Sequence, residues 1–272
     1  MSAQGSALLR GTYGAYGLAE RELKRFLRQP NRVFGALAQP ILFWVMFGAG
    51  LSSSFRPSAG ATTMSYWEYF FPGSVVLILL FTAIFATISI IEDRNEGFLQ
   101  SVLVAPIPTA SIVAGKVAGT TALAVGQALL FFLLAPVAGL PLTLTSLALS
   151  IPLLILIALG LTGLGFTIAW QLDSTQGFHA VMTAFLMPMW LLSGAFFPTH
   201  GIPTWLATIV ALNPLTYGVA AFRRVLYLGD PAAVADLPGL GFSIAVLVAF
   251  SAMTLAAATT VVARRGPRPS GR

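Results

Sequence analysis

Six runs of about twenty apolar residues decide what this chain can fold into. They cover residues 33–51, 71–91, 109–135, 147–170, 178–197 and 240–262. At 1.5 Å rise per residue, about 20 helical residues cross a hydrocarbon layer about 30 Å thick, and a helix satisfies its own backbone donors and acceptors where water is absent. The intervening segments are short, which predicts an all-α polytopic membrane protein: six transmembrane helices in a single domain, 1–272. Composition agrees. With 57% hydrophobic and 9% charged residues, a soluble domain of this length would lack the polar surface to cover itself. No cysteine is present, so a disulfide framework, a thiolate metal site and a cysteine nucleophile are excluded. The first residues are polar and small, with no apolar core directly after a basic run, so no cleavable signal peptide is expected.

Charge placement predicts orientation. With the N-terminus inside, the cytoplasmic segments hold Arg10, Arg21, Lys24, Arg25, Arg28, Arg32, Arg94, Lys116, Arg264, Arg265, Arg268 and Arg272, against Arg56, Arg223 and Arg224 outside. This bias, twelve to three, puts both termini in the cytoplasm. It also accounts for the pI near 10.2 without nucleic acid. Residues 13–32 form an amphipathic helix expected to lie along the inner surface. Tyr16, Ala19, Leu23, Phe26 and Leu27 make its apolar face, Glu20, Arg21, Lys24, Arg25 and Arg28 its polar face, and Gln29-Pro30-Asn31 its end. Between the fifth and sixth runs, 198–228 contains two apolar pieces too short to span, separated by Asn213-Pro214. They are expected to be two half-helices dipping into the outer leaflet against the bundle. Arg223 and Arg224 are expected to snorkel toward the outer headgroups.

Several chemistries lack their residues. No G-x-x-x-x-G-K-[ST] phosphate loop occurs; the Gly115-Lys116 pair is followed by Val117. The chain itself is therefore not expected to bind or hydrolyse ATP. An ion-coupled transporter needs a titrating or coordinating group within the membrane, and the centres of the six runs carry no charge. A membrane-embedded transferase would need a polar catalytic cluster, which is missing. His179 and His200 lie far apart in the topology, so no metal site is expected. Gly115-x-x-x-Gly119 reads as helix packing. Pro40, Pro152 and Pro188 predict kinks.

The segment 92–108, "EDRNEGFLQSVLVAPIP", interrupts the apolar pattern. Phe98, Leu99, Val102 and Leu103 fall on one helical face, and Pro106 and Pro108 separate that short helix from the third span. Glu92, Asp93 and Glu96 at its start are ill suited to an anionic inner leaflet, which favours docking into a cytoplasmic partner. A partner that closes on ATP would move two spans through this helix.

These residues carry a resemblance. Gly97, Leu99, Leu103, Pro106, Gly115 and Lys116 match the signature of the type-2 ABC exporter permeases for polysaccharide, lipo-oligosaccharide and drug export. A second family pattern is matched by Pro198, Pro203, Trp205, Leu206, Asn213, Pro214, Leu215, Thr216, Tyr217 and Arg223. The chain departs from the family at Gln100, often Glu, and at Ala220, often Asp, which removes an i, i+3 acid partner for Arg223. The resemblance implies a permease subunit of the bacterial-type cytoplasmic membrane. It would pair with itself, or with a similar permease chain, and with two copies of an ABC ATPase that holds ATP and Mg. It would export an amphiphile by alternating access between the two permease chains. Docking on the ATPase would fall to Glu92, Glu96, Gly97, Phe98, Leu99, Val102, Leu103 and Pro106, supported by Arg21 and Arg25. The outer gate would comprise Pro198, Pro203, Trp205, Asn213, Pro214, Tyr217 and Arg223.

Overall fold

The computed structural model describes residues 3–55, 64–141, 143–199 and 201–265. Arg56, His200, Arg268 and Arg272 lie outside the described residues. Ten α-helices follow in order: α1 (Ala3–Leu27), α2 (Pro30–Leu51), α3 (Tyr66–Asn95), α4 (Phe98–Val104), α5 (Thr109–Phe132), α6 (Leu144–Gln171), α7 (Thr175–Trp190), α8 (Thr204–Leu212), α9 (Pro214–Leu226) and α10 (Leu240–Arg265). A π-helical turn, Leu191–Ala195, prolongs α7, and a 3₁₀ turn, Pro231–Val234, follows α9. Among the described residues, six helices are long and apolar enough to cross a membrane: α2, α3, α5, α6, α7 with its π turn, and α10. The pair α8 and α9 is bent by 79°.

Local chemistry sets the boundaries. Ser65 and Ser174 accept hydrogen bonds from the backbone N–H groups of Glu68 and Gly177, opening α3 and α7. Thr143 and Ser146 form a reciprocal capping box at α6. Pro30 and Pro214 sit where the first turn of a helix has no use for an N–H. Gly97 has φ 77°, a left-handed conformation that reverses the chain between α3 and α4 without a side-chain clash. Helices α2 and α6 continue through Pro40 and Pro152, whereas α7 changes to the π turn soon after Pro188.

Helix α3 is the axis of the bundle, buried for almost its whole apolar length, while α2 and α10 expose most of theirs. It touches α2, α5, α6, α7 and α9. Close approach depends on small residues. A Cβ on Gly160 or Gly163 of α6 would collide with Phe250 or Thr254 of α10. One on Gly115 or Gly119 of α5 would lie 2.5 Å from the carbonyl oxygen of Ala15 or 2.8 Å from that of Ala19. The small-residue spacing read from the sequence is thus a packing seam, and its partner is α1.

That seam adds a packed face to α1. The helix buries Gly11, Leu18, Glu22 and Phe26, while Tyr16 and Leu27 of the face expected to lie along the membrane surface are 69% and 63% exposed. The helix starts ten residues before the expected position 13.

Candidate functional site

Side chains from α1, α3, α4, α5 and α6 meet at one end of the bundle. The Gly115 and Gly119 seam brings Glu22 of α1, 3% exposed, onto α5. Its Oε1 accepts from Lys116 Nζ at 2.5 Å and its Oε2 from Ser89 Oγ at 2.8 Å. Lys116 also donates to Asp93 Oδ2 at 2.6 Å. Asp93 is fully buried and accepts both Nη groups of Arg21, at 3.0 and 2.7 Å, and Arg25 Nη1 at 2.5 Å. Glu92 takes Arg25 Nη2 at 2.8 Å and also pairs with Arg32 of α2. Burial disfavours the charge on Arg21, yet hydrogen bonding and attraction from Asp93 outweigh it and raise its pKa above the ordinary arginine value. Its guanidinium also lies 3.6 Å from the centre of the Phe98 ring. A final clamp joins α3 to α6: Arg94 donates to the carbonyl oxygens of Trp170 and Leu172 and pairs with Asp173.

Two expectations change here. Two of the three acids before α4, Glu92 and Asp93, are engaged within this chain. Helix α3 runs four residues past the expected end of its span, and this last turn directs Glu92 and Asp93 at α1, α2 and α5. Glu96 alone of these three is mostly exposed, 3.5 Å from Arg25. The apolar face of α4 is also turned into its own chain. Leu99 and Val102 are buried, and Phe98, Leu103 and Val102 pack with Leu18, Ile107 and Ile112. The outward residues are Gln100, Ser101 and Val104, the last 75% exposed, followed by exposed Pro106. Beside them a cleft of about 250 Å³ is lined by Arg94, Leu99, Gln100, Leu103, Trp170 and Asp173.

The opposite end is built around Arg223. It does not snorkel. Only 4% exposed, it donates through Nη2 to the carbonyl oxygens of Tyr69 at 3.0 Å and Gly194 at 3.3 Å, and stacks 4.1 Å from the Tyr69 ring centre. Gly194, at φ 77°, turns its carbonyl toward this point, where it also accepts from the Tyr69 hydroxyl at 2.8 Å. Arg224 is likewise held by carbonyls, those of Pro238 and Leu237. With alanine at position 220, Arg223 donates to backbone carbonyls of α3 and the π turn. Asn213 fixes the bend between α8 and α9: its Oδ1 accepts the N–H of Leu215 and its Nδ2 donates to the carbonyl of Met189. Tyr217 donates back to the carbonyl of Ala211 at 2.7 Å. Pro203 precedes α8, Pro198 lines a small cavity with Arg223, and Trp205 is 67% exposed on α8. Replacing Arg223 with Met should lower stability by about 2 kcal/mol, the scale of hydrogen bonds from a charged group. The check is the apparent Tm of the purified chain in detergent; an unchanged Tm would contradict this anchoring role.

Sequence reasoning missed Glu22, Asp93, Lys116, Arg32 and Ser89 as a connected set. A signal was present: Glu22 is in line with Leu18 and Phe26 at i, i+4 spacing, and Lys116 is a lone charge in an apolar run beside the small-residue seam. An acid and a base placed where neither can meet water call for each other.

A bundle of six membrane-length helices with a bent helix pair defines a multi-pass membrane protein. Residues 15–227 match the sequence profile of the ABC-2 type transporter family, and the chain belongs to that family. It is similar to the putative transport permease ycf38 of Cyanophora paradoxa, 29% identical over 76% of this chain and 71% of the relative. It is similar too to nodulation protein J of Rhizobium leguminosarum bv. trifolii, 27% identical over 73% of this chain and 75% of the relative. A probable multidrug ABC transporter permease of Escherichia coli, YbhR, is 27% identical over 61% of this chain and 45% of its own length. The chain is thus an ABC transporter permease, a class that works with an ABC ATPase.

Proposed function

We propose that the chain is the permease subunit of an ATP-driven exporter for an amphiphilic or hydrophobic substrate, a drug, lipid or lipid-linked glycan. It sits in a bacterial-type cytoplasmic membrane with the Glu22–Asp93–Lys116 end facing the cytoplasm, an orientation supported by the bias of Lys and Arg. Two such chains enclose the pathway, and two copies of a separate ATPase bind ATP and Mg and hydrolyse the nucleotide; this chain hydrolyses nothing. The name of the probable multidrug permease relative supports a drug-like substrate.

The observation that carries the reading is α4. It is a short helix held between α3 and α5 with Gln100, Ser101 and Val104 outward and a cleft at its side. Its inner face is packed on Leu18 and Ile112, and Arg21 covers Phe98. A push on the outer face is therefore delivered to α1, α3 and α5 together, and from α3 to the far end through Tyr69, Gly194 and Arg223. Binding and hydrolysis in the ATPase would alternate the opening of the pathway by this route. The buried carboxylates do not favour ion coupling, because both oxygens of Glu22 and of Asp93 are already engaged.

The test is a double replacement on the outer face, Gln100→Arg with Val104→Asp. Both positions are exposed, so the apparent Tm of the permease should hold. Substrate-stimulated ATPase activity of the co-expressed complex should drop at least about tenfold, since an unmatched charge at an interface costs on the order of 2 kcal/mol or more. Full stimulation with both changes in place would remove α4 from the coupling route.

A further inference from the structure

Helix α1 has three faces, of which the mechanism above uses one. Gly11, Leu18, Glu22 and Phe26 are buried. On the opposite side Leu9, Tyr13, Tyr16 and Leu27 form a stripe, with Tyr13 and Tyr16 at 73% and 69% exposure. Between these faces runs a shallow, open groove of about 620 Å³ along α1, lined by Gly17, Glu20, Arg21, Lys24, Arg25, Arg28 and Gln29. A Cβ at Gly17 would meet nothing within 4 Å. Lys24 pairs with Glu20 one turn away on the same helix. Among the described residues Arg28 has no carboxylate within ion-pair distance.

We propose that this groove binds the headgroup phosphate of an anionic phospholipid, whose acyl chains lie along Tyr13, Tyr16 and Leu27. Two independent features agree on that occupant. The rim is cationic, with Lys24 and Arg28 outermost, and Arg21 and Arg25 reaching the same space behind them. The adjoining stripe is aromatic and aliphatic, the composition that settles at the boundary of headgroups and acyl chains. Depth agrees as well. The buried face of α1 is fixed to Asp93, just past the apolar stretch of α3, and to Lys116 in the first half of α5, near the same end of the bundle. The groove beside them is therefore at headgroup level. A soluble acidic protein would satisfy the cations and leave the stripe in water; a lipid satisfies both. Because Arg21 and Arg25 also hold Asp93, headgroup occupancy and the tightness of the ion network draw on the same guanidinium groups.

The experiment uses the full chain purified in neutral detergent, with retained lipid counted by native mass spectrometry. Phosphatidylglycerol and phosphatidylcholine of identical acyl chains are compared, with glycerol 3-phosphate as the soluble probe. Wild type should prefer phosphatidylglycerol at least about tenfold, on the scale of about one kcal/mol for each basic group near an anionic headgroup. Lys24→Gln with Arg28→Gln should erase that preference. Tyr13→Ser with Tyr16→Ser should weaken retention of both lipids and leave their ratio in place. Equal retention of the two lipids by wild type, a preference that survives the Lys24 and Arg28 changes, or binding of glycerol 3-phosphate as tight as that of the lipid would each overturn the proposal. So would loss of the ATPase subunit from the Lys24 and Arg28 variant in detergent free of anionic lipid, which would assign the groove to that partner.

Discussion

Replacing Asp93 with Ala should abolish the native packing of the charged end and lower stability by about 3–5 kcal/mol, the cost of breaking a buried ion pair by removing one member. Asp93 is the only group that Arg21, Arg25 and Lys116 share among the described residues. Its loss leaves three cations at a site with no exposed surface on the deleted side chain. The measurement is the apparent Tm in detergent together with the yield of monodisperse protein. Asp93→Asn should fall between wild type and Ala, because an amide keeps an acceptor oxygen but not the charge. A Tm for Asp93→Ala within a degree of wild type would show that the cations are not dependent on this carboxylate.

Gly115→Val should separate α1 from α5. The new Cβ alone would sit 2.5 Å from the carbonyl oxygen of Ala15 and 2.9 Å from Leu18 Cβ, and the backbone carbonyl has no alternative position to take. Overpacking of this kind costs about 1–3 kcal/mol, and displacement of α1 also withdraws Glu22 from Lys116. Gly126 on the same helix supplies the control: a Cβ there meets nothing within 4 Å. Gly126→Ala should therefore be neutral or gain up to about 1 kcal/mol from helix propensity. Limited proteolysis of the α1–α2 junction distinguishes the two, with faster cleavage expected for Gly115→Val alone. Equal behaviour of the two variants would contradict the seam.

The six spans and the bent pair were legible because length and hydropathy act locally. A run of about twenty apolar residues has few alternatives in a membrane, and Asn213-Pro214 both caps and divides. The family signature was legible for a different reason: it is a pattern of residue types at fixed spacing. The orientation of side chains across helices was not. Periodicity gave α1 an apolar face along the membrane surface that includes Tyr16 and Leu27, but not the face that packs on α5, because in a membrane protein an apolar residue is as content against lipid as against a helix. The smallest residues and the buried acid, Gly11 and Glu22, mark the contact instead. For the same reason Arg223 and Arg224 read as charges in search of headgroups, apart from the gate role that the family resemblance gave Arg223. Their carbonyl partners belong to residues as distant as Tyr69, separated from Arg223 by 154 positions, and the turn at Gly194 that presents one of them has no sequence signal beyond a single glycine.

The ion network also imposes an order of assembly. Glu22 is synthesised 67 positions before Ser89 and 94 before Lys116, so α1 emerges with its acid, Arg21 and Arg25 still lacking their partners. It cannot dock until α3 has crossed and α5 has followed, because its seat is made of their ends. The first helix made is thereby seated only after the fifth, and its locking depends on the α3, α4 and α5 segment being in place.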